Sequence, residues 1–74
     1  MTRMGVVIDA RGLEPPQPFE LAMEAVAGLA PGGQATVLLD RMPYPLLRLL
    51  DRDGYRHEAA YRDDGAVEVI ITWP

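Results

Sequence analysis

Few side chains in this 74-residue sequence have the types and spacing that chemistry needs. His57 is the single histidine, and neither serine nor cysteine is present to act as a nucleophile. Asp63 and Asp64 precede Gly65 in a DDG stretch, where aspartate favours a turn rather than acid–base work. A metal ion needs three or four converging ligands. We therefore predict no catalytic residues, no metal and no cofactor, and we interpret His57 as structural rather than as a ligand or general base.

The charge balance disfavours nucleic acid as a partner. The net charge is −4, and all seven basic residues are arginines, interleaved with acids in stretches such as DRDG and YRDDG. Phosphate binding needs clustered positive charge. The opening MTRMGVVIDA does not have the form of a secretory signal, and the apolar runs fall far below the ~20 residues that cross a bilayer. We predict one cytoplasmic domain over residues 1–74, with neither nucleic acid nor membrane as a partner.

Four segments have the pattern of strands. Val6–Ile8 and Ala35–Leu39 are short runs rich in β-branched or apolar residues, and the second is apolar enough for a central strand. Tyr55–Arg62 and Val67–Trp73 alternate between two faces. Asp64–Gly65, between them, predicts a hairpin with a two-residue turn.

Two further segments have helical spacing. The first is PQPFELAMEAVAGLA, whose apolar stripe comprises Phe19, Ala22, Met23, Val26 and Ala30. The second is RMPYPLLRLLDRDG, with Gly54 where a helix should end. The order is thus β-α-β-α-β-β. Because crossovers between parallel strands are right-handed, we predict a two-layer α/β (α+β) sandwich, with a four-stranded mixed sheet and two helices on one face.

Prolines crowd both helix starts. We call residues 12–18 (GLEPPQP) the first proline loop and residues 40–46 (DRMPYPL) the second proline loop. The first N–H groups of a helix have no intrahelical partner, so proline is tolerated there and removes hydrogen-bond donors. A phosphate site needs those donors. The loops should therefore form a stiff apolar surface that a partner covers, at the sheet edge where α/β proteins usually bind ligands.

The residues around the two loops form a predicted partner-binding set. Arginine and tyrosine are enriched in such interfaces. The alternative is that the polar members are ordinary solvated residues that pair locally. The set comprises Arg11, Glu14, Pro15, Pro16, Gln17, Arg41, Tyr44 and Arg48.

The stretch IDARGLEPPQP resembles the TusA/SirA-like superfamily of small β-α-β-α-β-β sulphur carriers. Their first loop reads roughly Asp-x-x-Gly-x-x-Cys-Pro-x-Pro, and the matching residues here are Asp9, Gly12, Pro16 and Pro18. The resemblance places Pro15 where the carriers have their persulfide-bearing cysteine. The sequence is more similar to an uncharacterised bacterial branch with Pro-Pro at this point. That branch has an Asp-x-x-Pro-x-Pro-Leu stretch, matched here by Asp40, Pro43, Pro45 and Leu46.

The resemblance implies a non-catalytic interaction or adaptor module that has lost the carrier thiol and kept a docking edge for a protein partner. The alternative is an accessory protein of redox or nitrogen-oxide metabolism that binds a small molecule or cofactor. In that alternative, Arg11, Arg41 and Arg48 would hold an anionic group. An enzyme in its own right is the least favoured class.

The strands are apolar on both faces, although the helices can cover only one. Val67, Val69 and Ile71 should face the helices, which leaves Ile70 on the other side of the last strand. Exposed apolar surface in a small domain tends to be covered by a partner. We therefore expect a homodimer that packs through the uncovered face around Ile70, with a monomer as the alternative.

Overall fold

Two helices lie against one face of a four-stranded mixed sheet, as the sequence predicts. The computed structural model describes residues 5–74. The elements in chain order are β1 (Gly5–Asp9), α1 (Gln17–Ala27), β2 (Gln34–Leu39), α2 (Tyr44–Arg52), β3 (Arg56–Tyr61) and β4 (Val67–Thr72). No helix among these residues is both long enough and apolar enough to cross a membrane.

The strands are arranged in the order β1-β2-β4-β3. β1 pairs with β2 in parallel, and β4 pairs with both β2 and β3 in antiparallel fashion. Every second residue of the two central strands is buried beneath the helices: Ala35, Val37 and Leu39 in β2, and Val67, Val69 and Ile71 in β4. The register places Val37 opposite Val69, at the centre of the core.

Each helix closes the core with one apolar stripe. α1 buries Ala22 and Val26, and α2 buries Leu46 and Leu50. Full burial of a leucine side chain stabilises a fold by roughly 1.5–3 kcal/mol. α2 ends where Gly54 adopts a φ of +87°, and the Tyr55 N–H donates to the Leu50 carbonyl at 3.0 Å. This 6→1 bond is the Schellman arrangement that glycine permits.

The apolar stripe of α1 and the hairpin turn differ in detail from the sequence pattern. α1 ends at Ala27 with Gly28 as its C-cap, so Ala30 of the stripe lies beyond the helix, and Phe19 of the same stripe is 39% exposed. The β3–β4 hairpin has a three-residue loop, in which the Gly65 N–H donates to the Arg62 carbonyl and Gly65 has a φ of +88°. A two-residue type I′ turn needs positive φ at both central residues, which non-glycine residues rarely adopt.

A close backbone approach connects α1 to β2. Gly33 is buried, and its N–H donates to the Ala30 carbonyl at 2.7 Å. A Cβ at this position would lie 2.8 Å from the Ala30 carbonyl oxygen and 3.3 Å from the Ala30 nitrogen. Both atoms belong to the backbone, so neither can move aside without shifting the turn.

We expect Gly33→Ala to lower the free energy of unfolding by about 1–3 kcal/mol, since overpacking against backbone forces the chain to shift. Gly28→Ala is the matched control. Its Cβ would lie 3.7 Å from the Ala25 carbonyl oxygen at a φ of −91°, so the change should stay within about 0.5 kcal/mol. Urea unfolding followed by circular dichroism measures both, and equal stabilities would contradict the close approach.

Candidate functional site

Parallel pairing of β1 with β2 brings the two proline loops to one edge of the sheet. Asp9 ends β1 beside Leu38 of β2. β2 leads directly into the second proline loop, and β1 reaches the first through Ala10 and Arg11. The Gly12 N–H then donates to Asp40 Oδ2 at 2.7 Å, which joins the loops across 28 residues of sequence. The positive φ of Gly12, +80°, shapes this contact. The two helix starts are therefore neighbours, as predicted.

Both helix starts expose few hydrogen-bond donors. Pro16 and Pro43 occupy the N-cap positions, and neither helix start has a side-chain cap. The Gln17 N–H donates to the Glu14 carbonyl at 2.9 Å, and the next residue is a proline with no N–H at all. The Pro15–Pro16 peptide bond is cis. A surface of this kind loses little hydrogen bonding to water when it is covered.

An open groove of about 640 Å³ lies between the two proline loops. Most of the residues that line it are apolar or proline. They are Ala10, Leu13, Glu14, Pro15, Pro16, Pro18, Phe19, Leu39, Asp40, Arg41, Met42, Pro43, Pro45 and Leu46. Leu13 and Phe19 are 36% and 39% exposed, so the groove offers apolar side chains to anything that enters it.

The predicted partner-binding residues divide into two groups. Glu14, Pro15, Pro16 and Arg41 line the groove. The other four, Arg11, Gln17, Tyr44 and Arg48, are exposed around it but do not line it. Sequence reasoning missed three apolar members of the lining, Leu13, Phe19 and Met42. The available signal was their position, because each lies within two residues of a proline in one of the loops.

Arg11 is held by carboxylates beside the groove. Its Nε and Nη2 donate to the two oxygens of Asp9 at 2.9 and 2.8 Å, and its Nη1 lies 3.6 Å from Asp64. Arg62 Nε lies 3.6 Å from the same Asp64 oxygen. The network fixes the first proline loop to the tip of the β3–β4 hairpin. Arg11 thus already has anionic partners from the protein itself.

These contacts shift the pKa values of Asp9, Arg11 and Asp64. The Arg11 side chain and backbone N–H lower the pKa of Asp9 to about 2, and the same ion pair raises the pKa of Arg11. The Ala66 N–H, and then the charges of Arg62 and Arg11, lower the pKa of Asp64. Both carboxylates are therefore charged at neutral pH.

His57 lies on edge strand β3, half-buried under α2. Its Nε2 is 2.8 Å from Asp51 Oδ1, and its side chain is 20% exposed. The contact joins the last turn of α2 to β3, away from the groove. Among residues 5–74, no three His, Cys, Asp or Glu side chains come together as a metal site.

Ile70 lies on the sheet face that the helices leave uncovered, paired with Thr36 of β2 and Glu58 of β3. It is half-buried by its neighbours. Val7 is 72% exposed, and its partner in the ladder is Thr36 of the same row. The apolar part of this face therefore extends from β4 to the β1 edge, and a homodimer around Ile70 stays a prediction.

The β-α-β-α-β-β order, the two layers and the neighbouring helix starts define a SirA-like α/β domain. A crystal structure of the SirA-like protein from Desulfitobacterium hafniense is 36% identical to this chain, with a TM-score of 0.80, and the match covers 89% of this chain and 93% of that one. Residues 7–72 match the family described as Uncharacterized conserved protein (DUF2249), and the chain belongs to this family. A search of the curated proteins finds no match.

We expect the Asp9 carboxyl to titrate near pH 2 in ¹³C NMR, and Arg11→Gln to return its pKa towards the ordinary value of 3.8. Because the pKa of Asp9 is lower in the folded than in the unfolded protein, the ion pair stabilises the fold above about pH 4. That contribution disappears as the pH falls towards 2. Arg56→Gln, on the distant strand β3, is the control and should leave Asp9 unchanged. A wild-type midpoint near 4 would show that the ion pair does not form.

Proposed function

We propose that this protein is a non-catalytic binding module whose groove receives an apolar segment of a protein partner. The groove between the two proline loops is the observation that supports this. Its exposed apolar members, Leu13 and Phe19, are of the kind that supply binding energy when a partner removes them from water, at roughly 25 cal/mol per Å².

The few donors at the helix starts favour an apolar partner over an anionic one. Burial of an unpaired N–H group costs roughly 1–3 kcal/mol in proteins. Prolines at 15, 16, 18, 43 and 45 remove that cost from much of the rim. An anion would find few hydrogen-bond donors at the same place, because helix starts bind anions through their N–H groups and the prolines have none. Leu13 and Phe19 are thus the expected anchors of the contact.

The resemblance to the sulphur carriers supports binding without sulphur transfer. Pro15, which lines the groove, stands where the carrier loop has its cysteine, and the chain contains no cysteine at all. Persulfide chemistry needs a thiolate. What this chain shares with the carriers is the loop at the start of α1, which is a surface for docking. The role that fits is that of an adaptor.

A small molecule or cofactor is the second candidate occupant. A volume of about 640 Å³ falls within the range of ligand pockets, roughly 300–1,000 Å³. Of the three arginines expected to hold an anion, however, only Arg41 lines the groove, and Arg11 is engaged by Asp9 and Asp64. A thermal-shift screen separates this candidate, since a ligand at 100 times its Kd stabilises the protein by about 2.7 kcal/mol.

We expect Phe19→Glu and Leu13→Glu each to weaken binding of the partner at least about tenfold, because each places a charge where an apolar side chain must be buried. The partner is first captured from the native cell extract and identified by mass spectrometry. It is then purified, and its Kd is measured by calorimetry against each variant.

Ala27→Glu is the matched control. It adds the same charge to an exposed apolar position at the other end of α1, about 12 Å along the helix from Phe19. This variant should bind as the wild type does. A partner that binds the two groove variants and the wild type equally would contradict the proposal, provided that circular dichroism shows the variants to be folded.

A further inference from the structure

Strand β1 forms one edge of the sheet, and its sequence does not protect that edge. Val6 and Val7 are 44% and 72% exposed, and the strand GVVID contains no proline, no lysine or arginine, and one charge at its end. Natural proteins usually blunt an exposed edge with charge, proline or a bulge, because its unpaired backbone groups bind other strands.

The opposite edge of the same sheet is protected. β3 has the sequence RHEAAY, with Arg56 and Glu58 on the uncovered face and His57 under α2. α2 also packs against this strand. Of the two edges of the sheet, β1 is therefore the one more open to pairing with another strand.

Alternate residues of β1 direct both their backbone N–H and C=O groups away from β2. These residues can form hydrogen bonds with a further strand. The Ala10 N–H donates to the Leu38 carbonyl of β2 at 2.9 Å. In a parallel ladder, alternate residues direct both their N–H and C=O to the same neighbour. Val6 and Ile8 therefore bond towards β2, and Gly5, Val7 and Asp9 direct their N–H and C=O groups away from the sheet.

We propose that the β1 edge pairs with β1 of a second copy of this chain, antiparallel and about a twofold axis at Val7. This register places Val7 opposite Val7 of the partner subunit, and Gly5 opposite Asp9 of the partner subunit. Every outward-directed residue then meets an outward-directed residue, and each such pair exchanges two backbone hydrogen bonds. The two sheets become one continuous sheet of eight strands.

The charges and side chains of β1 fit this twofold register. Asp9 has glycine opposite it rather than another carboxylate, and Arg11 already neutralises it within its own chain. On the helix-covered side, Val6 lies directly opposite Ile8 of the partner subunit and gains an apolar neighbour. The pairing of the two β1 strands covers the exposed side chains of Val6 and Val7.

Light scattering tests the assembly. The wild type should approach twice the 8.2 kDa chain mass as the concentration rises from low micromolar to near millimolar. Val7→Lys should raise the dimer Kd at least about tenfold, because two like charges would face each other across the axis. Val7→Pro should do the same by removing an outward N–H that makes no hydrogen bond among residues 5–74. If one of these two variants fails to fold, the dimer Kd of the other still tests the proposal.

Ile70→Lys and amide hydrogen exchange separate this contact from the other surface that a second copy could use. Ile70→Lys changes the uncovered face alone and should leave the Kd within about threefold of the wild type. The backbone amide of residue 7 should exchange slowly in the wild-type dimer and quickly in Val7→Lys. A single-chain mass at every concentration, or dissociation by Ile70→Lys with an unprotected Val7 amide, would overturn the proposal.

Discussion

The parallel pairing of β1 with β2 is the constraint on which the site depends. In a parallel pair both strands end at the same edge, so the two helices that follow must begin there as neighbours. Antiparallel strands would separate the two proline loops by the length of the sheet. The Gly12 N–H to Asp40 bond then fixes the distance between the loops, and the groove is the space that remains. The fold thus brings the two loops together, and the Asp40 side chain fixes their spacing.

Four charged side chains near this edge are paired with one another within the protein. Asp9, Arg11, Asp64 and Arg62 form one network that ties the first proline loop to the β3–β4 hairpin. Exposed ion pairs of this kind add little to stability, and their main effect here is to orient the loop. Because Arg11 is occupied, the chemistry left accessible in the groove is mainly apolar. This apolar lining is the physical basis of the binding role that we propose.

Periodicity and proline placement were enough to predict the element order, the mixed sheet and the shared edge of the helix starts. They could not predict contacts between distant residues. Arg11 meets Asp64 across 53 positions, and no local pattern links them. The apolar stripe of α1 includes Phe19, which is exposed, because helical spacing shows which residues share a face but not where along the helix the sheet stops covering that face. The hairpin loop was taken as two residues because Asp-Gly fits both turn types, whereas the structure uses Gly65 as a third.

A ¹H–¹⁵N NMR titration of the labelled protein with the purified partner tests most directly whether the partner enters the groove between the proline loops. We expect the largest shifts on Leu13, Phe19 and Met42, with Ala27 and β3 unaffected. Shifts concentrated on β3 or around Ile70, with the proline loops unchanged, would contradict it.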